Sequence, residues 1–308
     1  MKLTKLTSYI ALGLAIVAPI PAMALVGGAG VDPNSASSPW NGVGSLNVGG
    51  SFFTATMIAP GYLLTAAHVV NGANAANVSF QVNAGTSYSI AASDIFINPG
   101  YTNSTAGNVA NDKTIHNDLA IIKLTSTPGA DIPFYNLYSG NLQGADLNFV
   151  SYGGSSTAKK TGENIADVLY ANAASTNQTY MFDFDGPDSS TNVMGLGTLG
   201  ANREASFVSG DSGSAAFVNV NGQWQLAGIN TFEATFGAGF TSTPGTFGAG
   251  GGGVVVNGYS SWISSVIATP VPEPESGELL LLGVASLFGL SKRRSKSIDG
   301  AQGAGNLL

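Results

Sequence analysis

Three short stretches carry residue types able to move a proton or attack a carbonyl: Leu64-Thr65-Ala66-Ala67-His68, Asn117-Asp118-Leu119-Ala120-Ile121-Ile122-Lys123-Leu124 and Gly210-Asp211-Ser212-Gly213-Ser214. His68 is one of two histidines and closes a strand-like run, with small alanines before it that allow tight packing. An imidazole held in this way accepts a proton near neutral pH, although a histidine after an apolar run serves as readily in a structural role. Asp118 directly precedes a strongly apolar strand, where a carboxylate is costly to bury unless it is paired. A simple turn residue would read the same. Glycines on both sides of Asp211-Ser212 let the backbone fold tightly and bring a serine to the tip of a turn, with neighbouring N–H groups aimed outward. A surface turn also has this composition.

The elements that must position these groups are strands. The chain has 308 residues, 42 of them Gly, and only 9% are charged, a balance that argues against helical bundles and coiled coils. Short runs rich in β-branched and aromatic residues alternate with turn signals between Leu25 and Ala268. Examples are Ser51 to Ile58, Val78 to Val82, Leu119 to Leu124, Asn148 to Tyr152 and Tyr180 to Phe184. Ala216 to Val220 and Trp224 to Ile229 flank Asn221-Gly222, a strong hairpin signal. Ser260 to Ile267 is the one closing helix expected. The Gly-rich stretch Gly237 to Gly253 is expected to be a pliable loop. About a dozen strands in this span fit a sandwich or a pair of barrels.

Composition also removes function classes. Without Cys there is no disulfide, thiolate metal site or cysteine nucleophile, and two His leave little for a histidine cluster. Between Leu25 and Ala268 five basic residues face fourteen acidic ones, so a phosphate backbone would be repelled and nucleic-acid binding is not expected. His116, two residues before Asp118, lacks the Thr-Ala-Ala lead-in of His68 and reads as a solvated loop residue.

Both ends read as addresses. Lys2 and Lys5, an apolar stretch from Ile10 to Ile20 and Ala22-Met23-Ala24 form a secretory signal over residues 1–24, with a cut expected after Ala24 by signal peptidase. The segment 269–308 holds Thr269-Pro270-Val271-Pro272-Glu273-Pro274, an uncharged apolar run over 279–290, and Lys292-Arg293-Arg294. As a helix the apolar run spans ~18 Å, short of the roughly 30 Å hydrocarbon core, so only transient membrane contact is expected of it. This order resembles the PEP-CTERM sorting signal of Gram-negative bacteria. The resemblance implies an exosortase as partner and a place at the cell surface or outside the cell.

Taken in order, His68, Asp118 and Ser212 resemble the triad of the chymotrypsin family of serine proteases. Leu25-Val26-Gly27-Gly28 is similar to the activated N-terminus of that family, Gly228 to Phe232 to its cleft-lining strand, and Gly253-Val254-Val255 with Ser261-Trp262-Ile263 to its last strand and closing helix. The resemblance implies an all-β fold of two six-stranded antiparallel barrels and a short C-terminal helix. The domain would span 25–268, with barrels at about 25–140 and 141–268. It implies a serine endopeptidase acting on protein or peptide substrates without a cofactor or metal. Ser212 would be the nucleophile, His68 the base and Asp118 its support, and the N–H groups of Gly210 and Ser212 would form the oxyanion hole. Activity would rise as His68 becomes neutral. Asp211 would pair with the amino group freed at Leu25 on export. The pocket would involve Ser206, Phe207, Thr231, Phe232 and Glu233. Ser206 stands where a buried acid would select Lys or Arg, so a small or apolar substrate side chain is expected, and Glu233 replaces a glycine at the pocket entrance. Two other functions compete: a non-catalytic surface or matrix protein that keeps the fold, and a polysaccharide-binding β-protein, which would need exposed aromatic rows.

Overall fold

The computed structural model describes residues 25–28, 30–103, 115–171, 177–200, 203–236 and 243–268. The expected signal segment 1–24, the part of the Gly-rich stretch before Thr243 and the sorting segment 269–308 lie outside the described residues. The chain divides into two units, Met1–Ile267 and Ala268–Leu308, and of the second only Ala268 is described. Among the described residues no helix is long and apolar enough to cross a membrane.

The N-terminal arm carries β1 (Val26–Gly27) and β2 (Gly30–Asp32). Six strands then close a barrel: β3 (Val43–Val48), β4 (Ser51–Ala59), β5 (Tyr62–Thr65), β6 (Val78–Ala84), β7 (Thr86–Ile97) and β8 (Ala120–Leu124). Their order around the ring is β3-β4-β5-β8-β7-β6, every pair antiparallel, with β6 returning to β3. Gly49 and Gly50 turn β3 into β4 at φ +59° and +97°, the left-handed pair that matches strand twist in a two-residue hairpin. Leu46, Met57, Leu63, Leu64, Phe80, Val82, Ile121 and Ile122 are buried and make this barrel's interior largely aliphatic. A short helix, α1 (Ala67–Val70), follows β5 directly.

The chain crosses to the second half between Tyr135, whose N–H reaches the Met57 carbonyl, and Tyr138, whose N–H reaches the Leu226 carbonyl. There follow β9 (Asp146–Ser151), β10 (Lys159–Ile165), β11 (Val168–Ala171), β12 (Asn177–Asp183), β13 (Ala205–Ser206), β14 (Ala215–Val220), β15 (Gln223–Ala234), β16 (Gly250–Val255) and the closing helix α2 (Ser260–Ala268). The hydrogen-bonded order is β11-β12-β16-β15-β14-β9-β10-β2, an eight-stranded sheet rather than a second continuous six-stranded ring. The reason lies at Ala166–Asp167. The Ala166 N–H and C=O bond to the Ala145 carbonyl and the Gly144 N–H beside β9, whereas the Asp167 N–H turns to the Met181 carbonyl on β12. One bent stretch thus supplies β10 to one end of the sheet and β11 to the other, and the ring closes through it covalently. β2 adds outside β10, and β1 pairs with β13.

β16 corrects the expectation of a loop through Gly253. Gly250 to Gly253 form a buried strand between β12 and β15. A Cβ at Gly250 or Gly253 would run into the carbonyls of Phe182 or Ile229, so the neighbouring backbones come closer than any side chain permits. The second core packs Phe149, Phe182 and Phe207 with centroids 4.7 to 5.1 Å apart.

Candidate active site

β5 delivers His68. Leu63 to Ala67 are fully buried, and Val69 and Val70 anchor α1 inward, which leaves the imidazole between them partly open, 34% exposed. Asp118 sits at the entry to β8, paired with β5, and is buried. One of its carboxylate oxygens accepts the His68 backbone N–H at 2.8 Å, and the other meets Nδ1 at 2.6 Å. An ionised carboxylate only accepts, so Nδ1 carries the hydrogen and Nε2 keeps its lone pair. Nε2 lies 2.8 Å from the Ser212 Oγ. Asp118, His68 and Ser212 are therefore bonded in series, with Ser212 coming from the other half of the molecule.

The turn bearing Ser212 is tied on both sides. Its carbonyl accepts from Thr54 on β4 at 3.3 Å, and the Gly213 N–H donates to Asn230 on β15 at 2.9 Å. Gly210 has φ +100° and Gly213 φ +78°. A Cβ on Gly213 would collide with the Thr65 hydroxyl and the Thr54 carbonyl, so glycine there lets the two halves touch. Within the turn Asp211 and Ser214 donate their N–H groups to Val208 and Asp211 carbonyls. Those of Gly210 and Ser212 meet no acceptor among the described residues, which leaves two donors for an anion beside Ser212.

Asp211 points the other way and is buried. It accepts from the Ser151 hydroxyl at 2.5 Å, from the Val208 N–H at 2.8 Å and from the Leu25 N–H at 3.2 Å. Burial pushes its carboxyl up to about 6 against the pull of those donors. Leu25 is itself fully buried and held at φ +29°, a region that costs any residue with a Cβ.

Beside Ser212 lies a cleft of about 220 Å³, bounded on one side by Ser209 to Ser212 and on the other by Asn230 to Glu233 of β15. Thr231, Phe232 and Glu233 line it. Ser206 does not: it pairs with Val26 in the β1–β13 ladder and is fully buried. Phe207 also lines the cleft, while its ring packs against Phe149 and Phe182. His116 also differs from expectation, since it is buried. Its Nδ1 meets the Thr179 hydroxyl on β12 at 2.5 Å and its carbonyl accepts from Tyr259, so it ties the two halves together behind Asp118. Asn230 and Ser151 were not singled out. Asn230 donates to the Ser214 hydroxyl and accepts from Tyr180, which fixes the strand opposite Ser212. Only its place two residues into the cleft-lining run Gly228 to Phe232 could have flagged it. Among the described residues no group of three or more His, Asp or Glu is arranged to hold a metal ion.

The family model Trypsin matches residues 25–262. The chain therefore belongs to the trypsin family, and it has the fold and family character of a serine protease. Among solved structures, a Glu endopeptidase in complex with MPD aligns over 79% of this chain and 98% of its own, at 20% identity and a TM-score of 0.53. That likeness bears on the fold. A comparison with curated proteins gives no match.

Proposed function

We propose that the protein is a serine endopeptidase that hydrolyses peptide bonds through an acyl-enzyme on Ser212. The observation that carries this reading is the unbroken series from Asp118 through His68 to the Ser212 hydroxyl. Ser212 Oγ attacks the scissile carbonyl carbon while His68 Nε2 takes its proton, and Asp118 stabilises the imidazolium that results. The developing oxyanion accepts from the Gly210 and Ser212 N–H groups, each donor contributing roughly 3 kcal/mol to the barrier reduction. The imidazolium then protonates the leaving amine as the C–N bond breaks. Water repeats the sequence on the ester and frees Ser212. A fluorophosphonate should label the protein, and the label and all peptide cleavage should vanish in Ser212→Ala. Undiminished labelling in that variant would remove Ser212 from this role.

The same reading assigns activation to Leu25 and Asp211. In the uncut chain the Leu25 nitrogen is an amide, and its N–H already faces the Asp211 carboxylate. A cut after Ala24 would turn it into an ammonium, a far stronger partner, and would release Leu25 from the φ constraint. We therefore infer that export through the signal segment produces the competent enzyme, and that the segment 269–308 is handled at the cell surface. N-terminal sequencing of secreted protein should begin at Leu25; a start elsewhere sinks the activation step alone.

A further inference from the structure

Behind the cleft wall at Phe207 the protein fills its own space. The Ser206 hydroxyl is buried without a partner among the described residues, and the Phe207 ring lies over Gly251, where even a methyl group would be within 2.6 Å of it. What stays open is the shallow space between the Ser212 turn and β15. Two carboxylates border that space, Asp211 and Glu233. Asp211 is committed to Ser151, Val208 and Leu25. Glu233 is different. It is half-buried, its partner across the ladder is Gly251, which offers no side chain, and no described residue donates a hydrogen bond to its carboxylate. The described cations are occupied elsewhere: Lys159 with Asp32, Arg203 with Glu163, Lys160 on the Leu25 carbonyl and Lys123 over the Tyr62 ring. Burial alone raises the Glu233 carboxyl, as for a charge that loses water and gains nothing in return.

We propose that Glu233 is a specificity residue, which selects substrates with a Lys or Arg side chain on the acyl side of the scissile bond and grips that cation at the mouth of the cleft rather than at its floor. This rests on the endopeptidase reading above and names its substrate class. It reverses the expectation drawn from Ser206. That expectation looked for the deciding charge at Ser206, which is buried and does not line the cleft, whereas the free carboxylate stands on β15.

Fluorogenic peptides differing only in that side chain (Lys, norleucine or Glu) test it. In kcat/KM the protein should favour Lys over norleucine on the order of tenfold. The isosteric Glu233→Gln should bring that ratio close to one, and Glu233→Lys should favour the Glu peptide instead. In Ser212→Ala, calorimetry with product peptides ending in Lys or norleucine reads the same preference without chemistry. Equal rates for Lys and norleucine, or a Lys preference that survives in Glu233→Gln, would overturn the assignment while leaving the endopeptidase intact. Failure of every peptide and of fluorophosphonate labelling would sink the endopeptidase reading, and the binding experiment would then decide on Glu233 by itself.

Discussion

From the start of β3 to the end of β8, Asp118 is the only buried carboxylate among the described residues, whereas Asp167, Asp183, Asp185, Glu204 and Asp211 are all buried in the second half. The contrast follows from how each half satisfies its backbone. The first barrel is an unbroken ring, so its N–H and C=O groups pair between strands and its interior is left mostly to Leu, Ile and Val, with Met57 and Phe80. The second half breaks its ladder between β10 and β11 and inserts the irregular stretch Gly186–Gly200. There carboxylates take over. Asp183 accepts the Met194 N–H at 2.6 Å, and Glu204 accepts those of Asp185 and Leu199 at 2.7 and 2.8 Å. Neither oxygen of Asp185 has a partner among the described residues, and burial pushes its carboxyl up to about 6. The first barrel holds His68 and Asp118 at a fixed distance, while the half built around glycines and acids carries Ser212 and the strand that lines the cleft.

The hardest test of this division is to remove one member from each half. Ser212→Ala and His68→Ala should each lower kcat about 10⁶-fold, and the double variant should be no worse, because the two act as one unit across the boundary. Additive losses would mean that the halves work independently. Next in size, Phe207→Ala should cost about 3–5 kcal/mol in denaturant unfolding, since its ring touches Phe149 and Phe182 and leaves a cavity no neighbour can fill. A cost below about 1 kcal/mol would mean that the aromatic core of the second half is loosely packed. Gly213→Ala strains a positive φ and drives a methyl group into Thr65, so it should lower stability by about 2 kcal/mol and activity with it. An unchanged melting temperature would show that the halves do not press together there.

The last effect concerns pH. Burial first, and the Asp183 charge second, raise Asp167 from 3.8 to about 8. The folded state therefore holds this proton over a range in which the unfolded chain has lost it. Its contribution to stability is complete below about pH 4 and is lost as pH climbs through about 8. Thermal unfolding should occur at a falling temperature over that range, and Asp167→Asn should flatten the fall and be more stable than the parent at pH 8. A parent curve flat over the range would contradict the burial of an acid at this position.

Much of the fold was legible because alternation is local. The runs around Phe53, Phe80, Ile121 and Phe217 lie in strands β4, β6, β8 and β14, and Asn221-Gly222 turns at φ +52° and +85°. The three residues in series could be singled out because each sits in a distinctive stretch and their order carries meaning. What escaped depends on distant neighbours. The partner change at Ala166–Asp167 leaves no local mark. Gly250 to Gly253 have turn composition, and only the pressure of β12 and β15 makes them a strand. His116 looked solvated because its cover, Thr179 and Tyr259, lies far along the chain. The acids of the second half are scattered from Asp167 to Asp211 without a period, so nothing in the sequence groups them.

The glycine strand β16 has a consequence for redesign. Its backbone yields its side-chain volume to others: the Phe207 ring occupies the room above Gly251, and the Phe232 ring that above Gly252. Reshaping the cleft is thus a matter of exchange across a lattice, not of decorating β16. Trimming Phe207 together with a compensating bulk elsewhere in its aromatic cluster would hollow out a deep socket, while any substituent added to the glycines themselves would wedge the sheet apart.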